Sequence, residues 1–413
     1  MIEFKRYTLS NGLRLIVHRD VSTPVVAVNT LYDVGARDEN PDKSGMAHLF
    51  EHLMFGGSVN IPNFDNPLQR VGGNNNAFTN NDYTNYYITI PKENIETAFW
   101  LESDRMLSLA FTPESLEVQR KVVIEEFKQR YLNQPYGDAW LHLRPMAYKS
   151  HPYWWATIGK SIEHIEDTSL SDVKDFFKRH YHPGNAVLVV AGNVDPDTTY
   201  RHVEKWYADI PSGNKTKRIL PEESGLTGYE CETLIRPVPQ NGLYMAWPMP
   251  DRFSPDYYVA DLITDILSQG KSSRFYQNII GKGGLFTSLS GYVLGSLDRG
   301  LLVVSGMIDS KASFEMAREA VLYEIEMLIA EGPTERELDK VKNKLETRYL
   351  ISETNVLSKA MSLAYFELLG NADMINQEMD KYRSVSKADI IRVASQIFQT
   401  EGLKELRYQK AEK

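Results

Sequence analysis

Cysteine is almost absent from this chain: Cys231 is the only one among 413 residues. No intrachain disulfide can form and no cysteine cage can hold a metal, which fits a reducing compartment. Long apolar runs are missing too; none approaches the roughly 20 residues that a helix needs to cross a bilayer. Positive charge is in deficit, with 46 Lys and Arg against 55 Asp and Glu and a net charge of -9. Such a surface repels phosphate unless a basic stripe offsets it, and the sequence has no such stripe. Nucleic acid and membrane are therefore not expected partners. The opening residues Met1-Ile2-Glu3-Phe4-Lys5-Arg6-Tyr7 run straight into strand-like sequence, with neither a basic segment followed by an apolar stretch nor a small-residue cleavage site. The expectation is a cytoplasmic protein. Histidine is confined to one side: all nine lie at or before His202.

What is present is apolar content, 42% of the residues, enough at this length for two domains. Strand patterns cover Tyr7-Thr8-Leu9, 13–18 and 25–32, and Asn11-Gly12 between the first two signals a hairpin. Helical periodicity is expected at 45–54, 93–110, 113–131 and 169–180, with strands at 83–90 and 186–192. A stretch rich in Pro, Gly, Ser and Lys from Pro211 to Gly228 reads as a linker. After it the order repeats: a strand at 243–247, a helix at 255–267, a Gly-rich break, a strand at 301–305, then long helices to the end. Ser169-Leu170-Ser171-Asp172 also lines up with Ser386-Lys387-Ala388-Asp389 at a constant offset, as an internal duplication would produce. The expected fold is α+β, two homologous halves, each an antiparallel-rich sheet packed with helices on one face. The expected boundaries are a first domain at 1–215, which holds every histidine, a linker at 216–228 and a homologous second domain at 229–413.

The chemistry concentrates in Gly45-Met46-Ala47-His48-Leu49-Phe50-Glu51-His52. Helical positions i, i+3 and i+4 share a face, so His48, Glu51 and His52 can enter one cavity. Two imidazoles at that spacing suit adjacent corners of a zinc tetrahedron, and a carboxylate beside them can take a proton from water. The order His-x-x-Glu-His inverts the commoner His-Glu-x-x-His. A third ligand is required, and the helix around Arg120-Lys121-Val122-Val123-Ile124-Glu125-Glu126 offers two. Helical spacing does not choose between Glu125 and Glu126, and such acidic runs are more often solvated.

Taken in order, these pieces resemble the inverted-zinc-motif peptidases of the pitrilysin, insulin-degrading and mitochondrial processing peptidase beta type, in their half-length, bacterial-like branch. Further matches are Ser10-Asn11-Gly12-Leu13-Arg14-Leu15, Phe55-Gly56-Gly57, Asn76-Ala77-Phe78-Thr79 with Tyr83-Thr84-Asn85-Tyr86, His151-Pro152-Tyr153 with Ile158-Gly159, and Tyr181-His182-Pro183-Gly184-Asn185. The resemblance implies Zn2+ held by His48, His52 and Glu126, with Glu51 activating the attacking water. It also implies an edge strand over 72–77 to which a peptide substrate adds, touching Gly73, Asn76, Ala77 and Phe78. Many relatives carry a supporting glutamate seven positions before the ligand; here Gln119 stands there, able to hydrogen-bond but without charge.

The second half has no imidazole, so it cannot repeat the metal site. In relatives that half supplies an arginine and a tyrosine that hold the scissile carbonyl, and alignment puts Ile280 and Thr287 at those places. Arg274 and Tyr292 are nearby, at positions expected to be structural. The resemblance therefore implies a zinc metalloendopeptidase cleaving short or unfolded peptides in a two-chain clamshell. Its expected partner is a homologous non-catalytic subunit in a heterodimer that supplies the missing pair, with a homodimer as runner-up. The alternative is a catalytically silent structural or peptide-binding subunit of the same fold.

Overall fold

The computed structural model describes residues 1–215, 218–223 and 228–412; much of the expected linker over 216–228 lies outside them. Two compact units interleave along the chain. One comprises Met1–Phe127, Trp155–Ile219 and Tyr349–Gln377, the other Lys128–Trp154, Leu220–Arg348 and Glu378–Lys413.

The first unit is built on a six-stranded sheet. Its strands are β1 (Lys5–Thr8), β2 (Arg14–Arg19), β3 (Val25–Tyr32), β4 (Asn74–Thr79), β5 (Thr84–Pro91) and β6 (Ala186–Gly192), in the order β1-β2-β6-β3-β5-β4. All neighbours are antiparallel except β2 and β6. The Asn11-Gly12 turn joins β1 to β2 with Thr8 opposite Arg14. Asn11 holds the turn by donating its side-chain amide to the Tyr207 and Ile210 carbonyls.

Strand β6 is buried along its whole length, because helices cover both faces of the sheet. Helices Ile95–Leu107 and Pro196–Tyr207 form the expected layer on one face. On the other, Ala360, Leu363 and Ala364 of helix Val356–Leu368 pack against Ile16, Leu31, Val187 and Val189. Alternate residues of β6 thus face opposite helical layers, the period-two pattern that buries a central strand on two sides.

The second unit repeats the scheme. Strands β7 (Glu230–Arg236), β8 (Gly242–Met249), β9 (Phe286–Leu294), β10 (Gly300–Ile308) and β11 (Lys404–Lys410) lie in the order β7-β11-β8-β10-β9, again with one parallel pair, β7 with β11. Leu143 and Met146 of helix Ala139–Ala147 pack on Ala246, Val303 and Leu406. Helices Leu170–His180 and Lys387–Ile397, one in each unit, start with the same capping box. Ser169 and Ser386 each accept the N–H of the aspartate three residues on, and that aspartate returns the bond.

Two expectations are corrected. The chain does not end in helices: β11 closes it, inserted between β7 and β8. Its sequence, Lys404-Glu405-Leu406-Arg407-Tyr408-Gln409-Lys410, looks like a solvated tail because its buried charges are compensated out of sight. Lys404 Nζ is 2.9 Å from Glu230, and Glu405 meets Arg318 at 3.0 Å and Arg407 at 2.6 Å. The helix expected over 113–131 is α-helical only over Pro113–Phe127 and continues as a π-turn at Lys128–Leu132.

Candidate metal centre

Helix Met46–Leu53 carries His48, Glu51 and His52. Met46, Ala47, Leu49, Phe50 and Leu53 bury its opposite side, so its three polar residues face away from the core, half-buried. The start of the helix is tightly specified. Gly45 has φ +91°, and a Cβ there would stand 2.6 Å from the Ile158 carbonyl oxygen, so only glycine fits. Glu39 then caps the helix. Its Oε2 accepts from Gly45 N–H at 2.8 Å and its Oε1 from Ala47 N–H at 2.8 Å. The Trp155 indole N–H adds a third bond at 3.0 Å to Oε2. A carboxylate at this end meets both the orphan donors and the positive pole of the helix.

Helix Pro113–Phe127 supplies the facing group. Leu116, Val123 and Phe127 are buried, and Arg120 bonds the Thr168 carbonyl; with that side seated, Glu126 is half-buried and Glu125 exposed. Glu126 Oε2 lies 3.3 Å from His52 Nε2 and 3.7 Å from His48 Nε2. Among the described residues, His48, His52 and Glu126 form the one group of three whose ligand atoms all lie within 4.8 Å of one another. Donors sharing one tetrahedral zinc, each about 2.0–2.2 Å from it, stand roughly 3–4 Å apart, so two imidazole nitrogens and one carboxylate oxygen at these separations fit that ion. Gln119 lies about two turns before Glu126 on the same helix, half-buried.

Glu51 is held from another direction. The Thr79 hydroxyl, on β4, donates to Glu51 Oε2 at 2.5 Å. The buried phenols of Tyr86 and Tyr181 lie close enough to Glu51 to feel its charge, and burial raises both well above the ordinary phenol range. They stay neutral beside it. Among the described residues, strand β4 is an edge of its sheet, paired with β5 alone. Asn76 and Ala77 sit in its middle, where the Ala77 N–H is covered by the Asn76 side-chain oxygen at 2.8 Å. Phe78 packs edge-on against Tyr83. Gly73 lies just before the strand, where a Cβ would overlap the Leu68 side chain.

In the second unit, Ile280 lies in the π-turn Phe275–Gly283 and Thr287 on β9, where its hydroxyl accepts from Gln240 at 3.0 Å. Arg274 is committed elsewhere, at 2.8 Å from Glu337 and bonded to the Gly332 carbonyl, and Tyr292, half-buried, packs against the core. Glu39, Trp155 and Thr79 take part in the first-unit site without having been singled out for a role in the sequence. The glutamate stands six residues before the glycine it caps, outside the spacing of a capping box.

The chain belongs to peptidase family M16. Residues 14–150 match the model described as Insulinase (Peptidase family M16), and residues 167–345 the one described as Peptidase M16 inactive domain. It is 27% identical over 401 residues to the zinc protease PqqE of Helicobacter pylori, which spans 95% of this chain and 89% of that one. Mitochondrial-processing peptidase subunit beta of Saccharomyces cerevisiae is 26% identical over 258 residues, 61% of this chain and 55% of that protein. The crystal structure of a protease from Helicobacter pylori is similar with a TM-score of 0.92 at 25% identity, covering 99% of this chain and 100% of the other. Homologues of this chain are thus zinc proteases of the pitrilysin and processing-peptidase type. Among the described residues no helix is long and apolar enough to cross a membrane.

Proposed function

We propose that this chain is a zinc-dependent endopeptidase for short or unfolded peptides. The observation that carries the reading is the convergence of His48, His52 and Glu126 within ligand distance of one another, with Glu51 on the same helix face as the two histidines. These three side chains would hold the ion, which supplies polarisation of the scissile carbonyl and a more acidic water. Glu51 takes one proton from the attacking water as its oxygen bonds to the carbonyl carbon. The same carboxylate returns that proton to the departing nitrogen as the C–N bond breaks. Strand β4 offers its free edge to an extended peptide, whose backbone hydrogen bonds would hold any sequence that can lie flat. Gly73 would let that peptide approach closely, Asn76 and Ala77 would exchange their mutual bond for bonds to it, and Phe78 would flank it.

The test is metal analysis with a quenched-fluorescent peptide assay on wild type and Glu51→Gln. The reading expects about one zinc per chain in both and cleavage only by wild type. Zinc bound with no cleavage by either chain, alone or with a homologous partner, overturns it.

Ile280 and Thr287 favour a second reading. Neither side chain can stabilise an oxyanion as an Arg and Tyr pair does. A chain lacking that pair either receives it from a homologous subunit, in a heterodimer that closes a two-chain chamber, or acts as a peptide-binding or structural subunit. A homodimer is the remaining arrangement. Activity that appears only when a homologous chain bearing the pair is added supports the heterodimer; full activity of the purified single chain excludes it.

A further inference from the structure

A residue that touches Glu51 belongs to the strand with the free edge. Thr79 is the last residue of β4, and its hydroxyl donates to Glu51 Oε2 at 2.5 Å. A threonine hydroxyl has one proton to give; giving it to Glu51 fixes one carboxylate oxygen and turns the strand into a support for that side chain. The support is itself only half-secured. On one side β4 pairs with β5, from Asn74 opposite Thr89 to Thr79 opposite Thr84; on the other it is the sheet edge. Its middle is closed by a bond between adjacent residues, Asn76 to Ala77, and its exposed face alternates at Asn74 and Asn76. An edge strand gains rigidity when another strand pairs with it.

We infer that Thr79 is a positioning residue that couples peptide capture on β4 to the orientation of Glu51, so that turnover is greatest for extended peptides long enough to pair along Asn74–Thr79. This rests on the peptidase reading above. Peptide pairing stiffens β4, the stiffened strand holds the Thr79 hydroxyl in place, and the hydroxyl holds the Glu51 carboxylate where it accepts the proton. A peptide too short to reach along β4 occupies the metal end without setting the strand, and it is cleaved slowly even at saturation. The threonine methyl plays no part, so serine at this position preserves the coupling and valine, of nearly the same shape, removes it.

The experiment compares the full chain, Thr79→Val and Thr79→Ser, each checked for zinc content. Quenched peptides of about four and about ten residues serve as substrates, the longer able to lie along the whole strand at roughly 3.4 Å per residue. Wild type is expected to show higher kcat on the longer peptide. Thr79→Val is expected to lose about ten- to hundredfold in kcat on it, the range typical of a lost supporting hydrogen bond, with KM little changed, so that the length dependence disappears. Thr79→Ser should restore both. Crystal structures of the two variants give a readout independent of turnover: the Glu51 carboxylate should leave its wild-type position in Thr79→Val and keep it in Thr79→Ser. Wild-type length dependence persisting in Thr79→Val, or Glu51 unmoved in its crystal structure, overturns the coupling. Absence of cleavage by wild type counts against the peptidase reading instead, and the position of Glu51 in the crystals still decides whether Thr79 holds it.

Discussion

Glu39 accepts a 2.8 Å hydrogen bond from the backbone N–H of Ala47, the residue immediately before His48. The metal-facing helix is therefore anchored by a buried carboxylate from outside itself. Burial pushes the Glu39 carboxyl up to about 8, against the Ala47, Gly45 and Trp155 donors that favour its charged form. Replacing it with alanine strands the Gly45 and Ala47 N–H groups, at about 1–3 kcal/mol for each that stays dry, while the Trp155 indole keeps its 3.1 Å bond to the Ala36 carbonyl. Glu39→Ala is expected to lower Tm and to weaken zinc retention together, whereas Glu39→Gln, which keeps one acceptor, recovers part of both. Thermal unfolding with and without zinc measures this. An alanine variant that melts and holds metal like wild type would show that the cap does not organise the site.

Adjacent glutamates on helix Pro113–Phe127 make a sharper pair of variants. Glu126 faces both histidines at 3.3 and 3.7 Å, while Glu125 is exposed. Glu126→Ala is expected to leave the purified chain with little zinc, and Glu125→Ala to retain about one ion per chain. Metal analysis after dialysis reads both. Equal zinc in the two variants would remove Glu126 from the ligand set.

That contrast marks where sequence reasoning stops. Local periodicity was enough for β3, β6 and the twin capped helices, because side-chain alternation and the Ser-x-x-Asp spacing are properties of a few consecutive residues. The inverted His48 to His52 motif was legible for the same reason. Helical spacing could not separate Glu125 from Glu126, since the choice is made by which side of the helix Leu116, Val123 and Phe127 bury. Nor could an apolar stripe on Val356–Leu368 or Ala139–Ala147 reveal which sheet it would cover, since each belongs to a different unit from the segments that flank it in sequence. Strand β11 was hidden by charges that are neutralised only by other parts of the fold.

His180 makes the first unit acid-sensitive. Burial holds its imidazole down at about 4; Asp38 opposes the shift, and Arg179, Arg218 and His182 reinforce it. In the unfolded chain the same group titrates near pH 6.5, at about its ordinary value. Above that pH neither state is protonated and His180 adds no pH dependence. As pH falls from about 6.5 toward 4, the unfolded chain takes up a proton that the folded chain refuses, and stability is lost across that window. The loss is on the order of 3 kcal/mol once complete. His180→Phe, which keeps a ring against Phe176, should flatten the fall in denaturation midpoint between pH 7 and pH 5. A variant whose midpoint drops as steeply as wild type would assign the acid sensitivity to other groups.

Behind the metal helix, Arg105 and Glu102 form an ion pair at 2.5 Å with side-chain exposures of 2% and 0%. The guanidinium also lies 4.5 Å from the Tyr86 ring centroid and 4.6 Å from that of Phe64, and Thr30 donates to the carboxylate at 3.2 Å. Removing one partner leaves a charge that nothing nearby can neutralise, so Arg105→Met is expected to destabilise the chain by about 3–5 kcal/mol. Removing both is a different matter, because the desolvation of two charges is relieved along with their attraction. The double variant Arg105→Met/Glu102→Leu should regain most of the lost stability in denaturant titrations. A double variant as unstable as the single one would mean that the aromatic contacts of the guanidinium with Tyr86 and Phe64, which methionine cannot reproduce, outweigh the ion pair.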